Sequence, residues 1–448
     1  MDCIGSLSPL DGRYRSRVSA LLPFFSEQAF FRYRALVETR FLLSFFEATK
    51  VLALTEADKK KIEKAAEMSE ADYQRIKSIE KETNHDLKAL EYYLREKIAD
   101  AHIAPFVHFA ITSEDTNNIA YALMISDALA MVIMPSLQSI QHLLVDLAEK
   151  YRTAPMLART HGQPASPTTF GKEMRVFQHR LDRQLELLGK SQLTAKLNGA
   201  TGNFSALVIA FPNVDWITFA QKFVASFNDK RPIPLQCNVL TTQINPPDAL
   251  AELFDRLKNI NSILIDLSQD MWRYISDGWL VQAVRAGEIG SSTMPHKVNP
   301  IDFENGEGNL GLANALFAHF SQTLPISRLQ RDLSGSTVMR NIGSAFGYSL
   351  LAYTSIQKGL DNIALDAEKC ERVLLEHPEV ITEAIQVILR REGFQDAYEQ
   401  LLTLSRGKQL SAADIAAFIN GLNVSDQIKA ELRAVTPLNY IGLCGKLG

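Results

Sequence analysis

Apolar residues recur every three or four positions along most of this chain, which predicts α-helices throughout. The longest such pattern covers 248–278, which runs thirty positions without Gly or Pro before Gly278. At about 1.5 Å per residue, that helix would be roughly 45 Å long. No segment alternates with period two for long enough to indicate a substantial sheet. The same apolar spacing predicts further helices at 26–50, 56–80, 86–99, 114–150, 170–192, 301–323 and 337–362.

The middle of the chain carries the longest and most apolar of these helices. Helices of this length bury their apolar stripes against each other in a bundle, and Pro135 is the expected site of a kink in 114–150. The predicted fold class is therefore all-α, with three mainly helical domains at 1–111, 112–364 and 365–448. The apolar surface of the central bundle also favours an oligomer.

Composition narrows the class of protein. A hydrophobic fraction of 46% and a charged fraction of 22% are typical of a soluble globular protein. The net charge of −4 gives no general basic surface for nucleic acid. The four cysteines are too scattered for a disulfide framework or a CxxC metal pair. With no secretory signal and no expected membrane span, we expect a cytoplasmic protein that binds neither nucleic acid nor membrane.

Polar loops interrupt the predicted helices, and binding and catalytic residues tend to lie on such loops. They are rich in His, Thr, Ser, Asn and Arg, and they cover 80–86, 111–118, 158–169, 240–246, 285–300 and 327–341. The segment GEGNLG (306–311) matches the dinucleotide motif GxGxxG but lacks the strand that should precede it. P-loop, HExxH and GxSxG motifs are absent from the sequence. This favours chemistry without a metal or a cofactor.

The loop 286–300, AGEIGSSTMPHKVNP, has the composition of an anion site. Gly290 before two serines permits an unusual backbone, and successive N–H groups in such a turn form a concave anion-binding nest. Lys297 adds a positive charge, and Asn299-Pro300 would open the next helix, whose N-terminus favours anions. Such a loop can hold a carboxylate and make a serine alkoxide less unfavourable. The alternative interpretation is an ordinary connector between helices.

GSSTMPHKVNP (290–300) matches every fixed position of GSSxMPxKxNP, and on these residues the chain resembles the fumarase/aspartase superfamily. The longer form through GEGNLGL resembles the branch of bacterial adenylosuccinate lyases within it. Nearly the whole chain shares that resemblance, through SPLDGRYRSRV, ETNHDLKALEYYL, FVHFAITSEDTNN, RTHGQPASPTTFGKEM and RLQRDLSGSTVMRN. It implies a helical bundle of the fumarase/aspartase type.

The resemblance also implies a reaction. Members of the superfamily cleave a C–N or C–O bond by elimination and release fumarate. This branch converts adenylosuccinate to AMP, and the succinylated aminoimidazole carboxamide ribotide (SAICAR) to AICAR, in purine biosynthesis. By resemblance the chain is a C–N lyase without a cofactor, in a homotetramer whose active sites are shared between subunits.

Residue by residue, Ser291 matches the catalytic base and His161 the general acid, while Lys297 and Asn299 match residues that hold the succinyl carboxylate. A histidine with an ordinary pKa of about 6.5 can donate a proton at neutral pH. His85, with Asp86, matches a second catalytic position. The planar fork of arginine suits the phosphate of a nucleotide. The other implied substrate-binding positions are Arg13, Tyr14, Thr112, Ser113, Gln243, Ser292, Met294, Arg331, Ser336 and Arg340.

Other interpretations of these residues stay open at this stage. His161 could be a loop histidine that caps a helix, and Asn84, Asp86 or Ser113 could be helix caps. Other classes of function are another lyase of the superfamily, such as argininosuccinate lyase, a non-catalytic structural protein, or a dehydrogenase that uses GEGNLG.

Overall fold

The computed structural model describes residues 5–229, 231–283, 294, 298–405 and 410–447. Its α-helices are α1 Arg15–Val18, α2 Leu22–Phe25, α3 Glu27–Thr49, α4 Glu56–Ala65, α5 Glu70–Thr83, α6 Asp86–Ile98, α7 Ser113–Ala128, α8 Met134–Lys150, α9 Phe170–Gly189, α10 Ser205–Ala210, α11 Trp216–Ala225, α12 Asp248–Ser276, α13 Ile301–Thr323, α14 Ser334–Met339, α15 Ile342–Asp361, α16 Ala367–Leu375, α17 Thr382–Arg391, α18 Ala397–Ser405, α19 Ala412–Gly421, α20 Asp426–Ala434 and α21 Cys444–Leu447. Its strands are β1 Pro155–Thr160, β2 Gln163–Thr169, β3 Leu193–Ala195, β4 Leu235–Cys237, β5 Leu280–Gln282 and β6 Ile363–Leu365.

The predicted helical fold class is confirmed, and most helix bounds agree with the apolar pattern within a few residues. One exception is the helix predicted at 56–80, which is two helices, α4 and α5. Each begins with its own capping box, Thr55 with Asp58 and Ser69 with Asp72. The second capping box supplies the hydrogen bonds of a new helix N-terminus, so a second helix begins directly after Ser69.

The irregularity expected at Pro135 takes the form of a π-helical turn. Residues Leu129–Ile133 join α7 to α8, and this turn ends two residues before the proline. Proline has no N–H to donate to the carbonyl one turn earlier, so the helix accommodates it with a wider turn.

The continuous helical segment Ser113–Lys150 contains an 18-residue window with a mean hydropathy of 1.7. By length and composition alone that window could cross a membrane, although no membrane span is expected from the sequence. Inside the protein, 56% of it is buried, and the core helix of a soluble protein has the same composition.

Three two-stranded sheets accompany the helices in the described residues. The largest is an antiparallel hairpin of β1 and β2, in the segment 158–169 that was predicted to be a loop. Thr160 pairs with Gln163, so His161 and Gly162 form a two-residue turn, with φ of 54° and 76°. Two successive positive φ values are those of the tight turn that favours hairpins. The strands β3 and β4 are parallel, and β5 and β6 are antiparallel.

The chain forms two compact units. The first comprises Met1–Leu137, Gln184–Ser262 and Gly308–Tyr353, and the second Gln138–Arg183, Ile263–Glu307 and Thr354–Gly448. In the first unit, α3 buries its aromatic side chains against α11, with the ring centroids of Phe41 and Phe223 6.1 Å apart. The second unit contains the hairpin and the short C-terminal helices. The division into three domains at 111 and 364 stays a prediction.

The segment GEGNLG lies inside α13, which begins five residues before its first glycine, and no described strand ends directly before it. A Cβ at Gly306 would come 2.6 Å from Cγ1 of Ile356. The glycine therefore allows close packing between α13 and α15. The alternative in which this segment is a dinucleotide-binding loop was therefore wrong, and the motif lacks its preceding strand within the described residues, as the sequence indicated.

Candidate active site

A cavity of about 390 Å³ lies in the first unit, lined by residues of α3, α6 and α7 and by the segment that leads into α14. A volume of this size is in the range of small-molecule sites. The fold brings six of the residues singled out from the sequence to its wall: His85, Asp86, Ser113, Arg331, Ser336 and Arg340.

His85 is the residue before α6 and caps that helix. Its Nδ1 accepts a hydrogen bond of 3.1 Å from the backbone N–H of Lys88. A cap at this position was expected, but from Asn84 or Asp86; Asn84 instead ends α5 with a positive φ of 48°. Because Nδ1 accepts, the proton of the neutral ring lies on Nε2. His85 therefore offers the cavity one N–H in a fixed orientation.

Asp86 is held by two arginines. Its Oδ2 accepts from Nη2 of Arg34 at 2.9 Å and from Nη2 of Arg340 at 3.1 Å, and Oδ1 accepts from the N–H of Leu87 at 2.8 Å. Burial disfavours ionisation of Asp86, but the charge and hydrogen bond of Arg34 outweigh it and lower the pKa below its ordinary value. The carboxylate stays ionised, so it can accept hydrogen bonds in the cavity but cannot act as an acid.

Arg34 is a site residue that sequence reasoning missed. It is almost fully buried, donates from Nε to Oδ1 of Asn117 at 2.8 Å, and places its guanidinium carbon 3.6 Å from the centroid of the Phe30 ring. Burial lowers its pKa, which the charge of Asp86 opposes. The sequence feature that could have identified Arg34 is its place among the apolar positions of the helix predicted at 26–50.

Arg331 joins three segments of the cavity. Its Nη1 donates to Oε1 of Gln243 at 3.2 Å and its Nη2 to Oγ of Ser336 at 3.5 Å. Nη2 also lies 3.7 Å from Oε2 of Glu114. Burial raises the pKa of Glu114, an effect that the charges of Arg331 and Lys196 oppose. Gln243 thus reaches the site through Arg331, and three guanidinium groups, of Arg34, Arg331 and Arg340, line one cavity.

The N-terminus of α7 lies at the same cavity. Thr112 is the N-cap, and its N–H donates to the Asp115 carboxylate at 2.9 Å. The alternative in which Ser113 is the cap was wrong, since Ser113 is the first helical residue and lines the cavity. A helix N-terminus has unpaired N–H groups and a positive dipole end, which favour anions.

Arg13 and Tyr14 belong to the first unit, but neither is among the described residues that line the cavity. Tyr14 packs against a small apolar cluster that includes Leu10 and Val18. The exposed Arg13 guanidinium lies 5.9 Å from the centroid of the Tyr14 ring. Their contribution to a phosphate site stays a prediction.

Of the remaining predicted residues, His161, Met294 and Asn299 belong to the second unit. His161 is exposed in the hairpin turn, and its imidazole makes no hydrogen bond to any residue that the structure describes. Met294 is half exposed and Asn299 partly buried. Ser291, Ser292 and Lys297 lie outside the described residues. Within the described ranges, no group of three or more His, Cys, Asp or Glu side chains is arranged to hold a metal ion.

Comparisons with known proteins agree with the motifs. Residues 12–314 match a family model described as lyase, and residues 327–441 match one described as adenylosuccinate lyase C-terminal. The chain is 46% identical over 450 residues to the adenylosuccinate lyase of Escherichia coli strain K12, an alignment that covers 99% of this chain and 97% of that one. It is 45% identical over 450 residues to the adenylosuccinate lyase of Vibrio cholerae, with coverage of 99% and 98%.

The crystal structure of a fumarate lyase from Mesorhizobium sp. BNC1 superposes with a TM-score of 0.76 at 18% identity, covering 96% of each chain. At that identity the likeness concerns the fold alone, and it confirms the predicted helical fold of the fumarase/aspartase type. Two family models that together span most of the chain, and relatives aligned over nearly its full length, show that this chain belongs to the adenylosuccinate lyase family of the fumarase/aspartase superfamily.

Proposed function

We propose that this chain eliminates fumarate from adenylosuccinate to give AMP, and from SAICAR to give AICAR, as a soluble C–N lyase of purine biosynthesis in the cytoplasm. Two lines support the proposal. The chain aligns over nearly its whole length with adenylosuccinate lyases. One cavity also combines three arginines, Arg34, Arg331 and Arg340, with the N-terminus of a long helix, which are two features suited to anions.

The reaction needs a base, an acid and anion sites. The base takes a proton from the carbon next to a carboxylate, which creates a second negative charge there. The electrons of that C–H bond form the double bond of fumarate, and those of the broken C–N bond go to the nitrogen, which takes a proton from the acid. AMP and fumarate account for all atoms of adenylosuccinate, so no co-reactant is required.

The phosphate is assigned to Arg331, Ser336 and Arg340, joined by Arg13 and Tyr14. Of the three cavity arginines, Arg331 lies 3.7 Å from the carboxylate of Glu114 and Arg340 lies 3.1 Å from that of Asp86. A phosphate dianion offers charge-assisted, bidentate hydrogen bonds that these single contacts lack. It would therefore compete well for both guanidinium groups.

The chemical roles follow the motifs. Ser291 is the proposed base, stabilised as an alkoxide by neighbouring N–H groups and Lys297. His161 is the proposed acid. The succinyl carboxylates are assigned to Lys297, Asn299 and the pair Thr112–Ser113. The further substrate contacts proposed are His85, Asp86, Gln243, Ser292 and Met294.

We further propose a homotetramer with active sites shared between subunits. Two long helices support it, since the π turn after α7 exposes 69% of Met131 and α13 exposes 52% of Leu312. A contiguous exposed apolar patch is typical of an association surface, and these two side chains are candidates for contacts between subunits. Sedimentation at micromolar concentration tests it, and a monomer would contradict it.

The test of the reaction is turnover of adenylosuccinate by the wild type, by Ser291→Ala and by the neighbouring Ser292→Ala. Excess chelator is present, no cofactor is added, and AMP and fumarate are quantified by chromatography. Loss of a base costs about 10²- to 10⁴-fold in rate, so the activity of Ser291→Ala should fall by that factor. Ser292→Ala loses only a proposed substrate contact, so its activity should fall about 10-fold, the equivalent of one hydrogen bond. Full turnover by Ser291→Ala would remove Ser291 as the base. A silent wild type with an intact tetramer would point to another succinyl substrate.

A further inference from the structure

Asp115 and Lys196 form an ion pair that is fully removed from water. Nζ of Lys196 lies 2.8 Å from Oδ1 of Asp115, and both side chains have an exposure of 0%. Nζ also donates to the carbonyl of Gly199 at 2.8 Å. Backbone N–H groups of Asn198 and Gly199 donate to the carboxylate, each at 3.1 Å. We call these four residues, Asp115, Lys196, Asn198 and Gly199, the Lys196 cluster.

A buried ion pair is weak evidence for stability, because removing two charges from water offsets most of their attraction. Its fixed geometry is better suited to holding segments in place. In this protein the pair is close to the cavity but does not line it. The segments that the cluster connects therefore matter more than the pair itself.

The first connection leads to the N-terminus of α7. Besides the cluster, the Asp115 carboxylate accepts from the N–H of Thr112, directly before Ser113. One turn later, the side-chain amide of Asn118 binds both backbone polar groups of Lys196. It accepts from the N–H of Lys196 at 2.8 Å and donates to its carbonyl at 3.1 Å. The cluster thus fixes the helix end that we assign to a substrate carboxylate.

The second connection leads to the segment that carries Gln243. The amide of Asn198 donates to Oγ1 of Thr241 at 2.8 Å. Gly202, with φ of 76°, brings the backbone so near that a Cβ there would lie 2.2 Å from the carbonyl oxygen of Thr241. Thr242 donates to the carbonyl of Gln330 at 2.9 Å, next to Arg331, which Gln243 contacts.

We propose that Lys196 is a positioning residue that fixes the carboxylate end of the site, at Ser113, relative to the phosphate end, at Arg331. This inference rests on the proposed function. The substrate carries its carboxylates and its phosphate at opposite ends of one molecule, so both sites must be held at a set separation. A misplacement of about 1 Å can cost roughly 10²-fold in rate.

The main test is Lys196→Met, which keeps a side chain of similar length and removes the charge. Dissociation constants of AMP and of fumarate are measured by calorimetry on the folded tetramer, beside KM and kcat for adenylosuccinate. We expect both ligands to bind about 10-fold more weakly and kcat/KM to fall about 10²-fold. A merely structural lysine would lower the melting temperature but leave both dissociation constants of the folded enzyme unchanged.

Two further variants separate the effects. Thr241→Val removes only the hydroxyl of the second connection, so AMP should bind more weakly while fumarate binding is unchanged. Tyr353→Phe is the matched control, since its fully buried hydroxyl donates to Oδ1 of Asn261 at 2.6 Å and does not contact the cluster. Tyr353→Phe should lower the free energy of unfolding without changing the dissociation constant of AMP or of fumarate.

The outcomes are distinguishable. Wild-type affinity for both ligands in folded Lys196→Met would overturn the inference while the proposed function stands. If Lys196→Met does not fold, unchanged AMP binding by Thr241→Val would overturn it. A wild type that neither turns over adenylosuccinate nor binds AMP would instead overturn the proposed function, and this inference with it.

Discussion

Two histidines that match catalytic positions are held in opposite ways. The ring of His85 is fixed by its hydrogen bond to the N–H of Lys88, in the wall of a cavity. The ring of His161 is exposed in a two-residue hairpin turn, without a hydrogen bond to any described residue. One imidazole already uses a nitrogen for structure, whereas neither nitrogen of the other is hydrogen-bonded to a residue that the structure describes.

The difference bears on which histidine can be the acid. A general acid has to donate a proton to the leaving group and take one up again, so it needs a nitrogen that can be protonated freely. Protonation of His85 at Nδ1 would break the cap of α6, whereas protonation of His161 breaks no hydrogen bond to a described residue. We therefore propose His161 as the acid and His85 as a fixed hydrogen-bond donor to the substrate.

The sharpest test of this comparison is His161→Asn. Asparagine tolerates the positive φ of 54° at this position, so the hairpin turn is kept while the acid is lost. We expect kcat to fall about 10²- to 10⁴-fold, with AMP affinity unchanged. Steady-state kinetics and calorimetry measure the two quantities.

The control for that variant is His102→Ala, which removes another exposed histidine and should leave kcat unchanged. If His161→Asn kept kcat within about threefold of the wild type, a loss far below that of a general acid, then His161 would not be the acid. His85 would then be the better candidate for the acid.

A smaller effect on activity is expected at His85. Two substitutions there separate its role as the cap of α6 from its role as a hydrogen-bond donor to the substrate. His85→Asn retains a side-chain oxygen that can cap α6 but lacks Nε2, whereas His85→Ala loses both functions. We expect kcat/KM to fall about 10-fold in both, the equivalent of one hydrogen bond. Only His85→Ala should lose about 1 kcal/mol of stability. Full activity in His85→Asn would mean that His85 only caps the helix.

The two histidines also show which parts of the molecule the sequence could predict. Long helices such as α12 and α13 were predicted nearly to the residue, because burial of an apolar stripe dominates their stability. The hairpin around His161 was missed, since Pro164, Pro167 and several polar residues hide the alternation of a strand. The dipeptide His-Gly at its turn was the readable signal, because a two-residue hairpin favours glycine there.

Part of the cavity wall was singled out from the sequence, but the residues that support it were not. Motifs pointed to His85, Ser113 and Arg331, which line the cavity, and their contacts with substrate stay a prediction. No pattern in the sequence connects Lys196 with Asp115, which are 81 residues apart and meet only after the chain has folded. An ion pair of this kind depends on tertiary structure, so the spacing of apolar residues along the sequence cannot predict it.

A third histidine gives the smallest effect and completes the comparison. Nδ1 of His108 lies 2.8 Å from Oε1 of the buried Glu38, which also accepts from the hydroxyl of Thr116 at 2.6 Å. Burial disfavours the imidazolium, but Glu38 outweighs it, with Glu91 and Asp115 acting in the same direction, and the pKa of His108 is raised. Unlike His85 and His161, this ring is held by a buried carboxylate.

Because the folded pKa of His108 lies above the unfolded value of about 6.5, its stabilisation is fully present below pH ~6.5 and is lost as pH rises through the folded pKa. His108→Asn tolerates the positive φ of 59° there and removes the charge. Denaturant unfolding at one protein concentration should show the wild type more stable than the variant at low pH. That difference should shrink as the pH is raised. A difference that is constant with pH would mean that His108 is neutral in the folded protein and contributes only its packing.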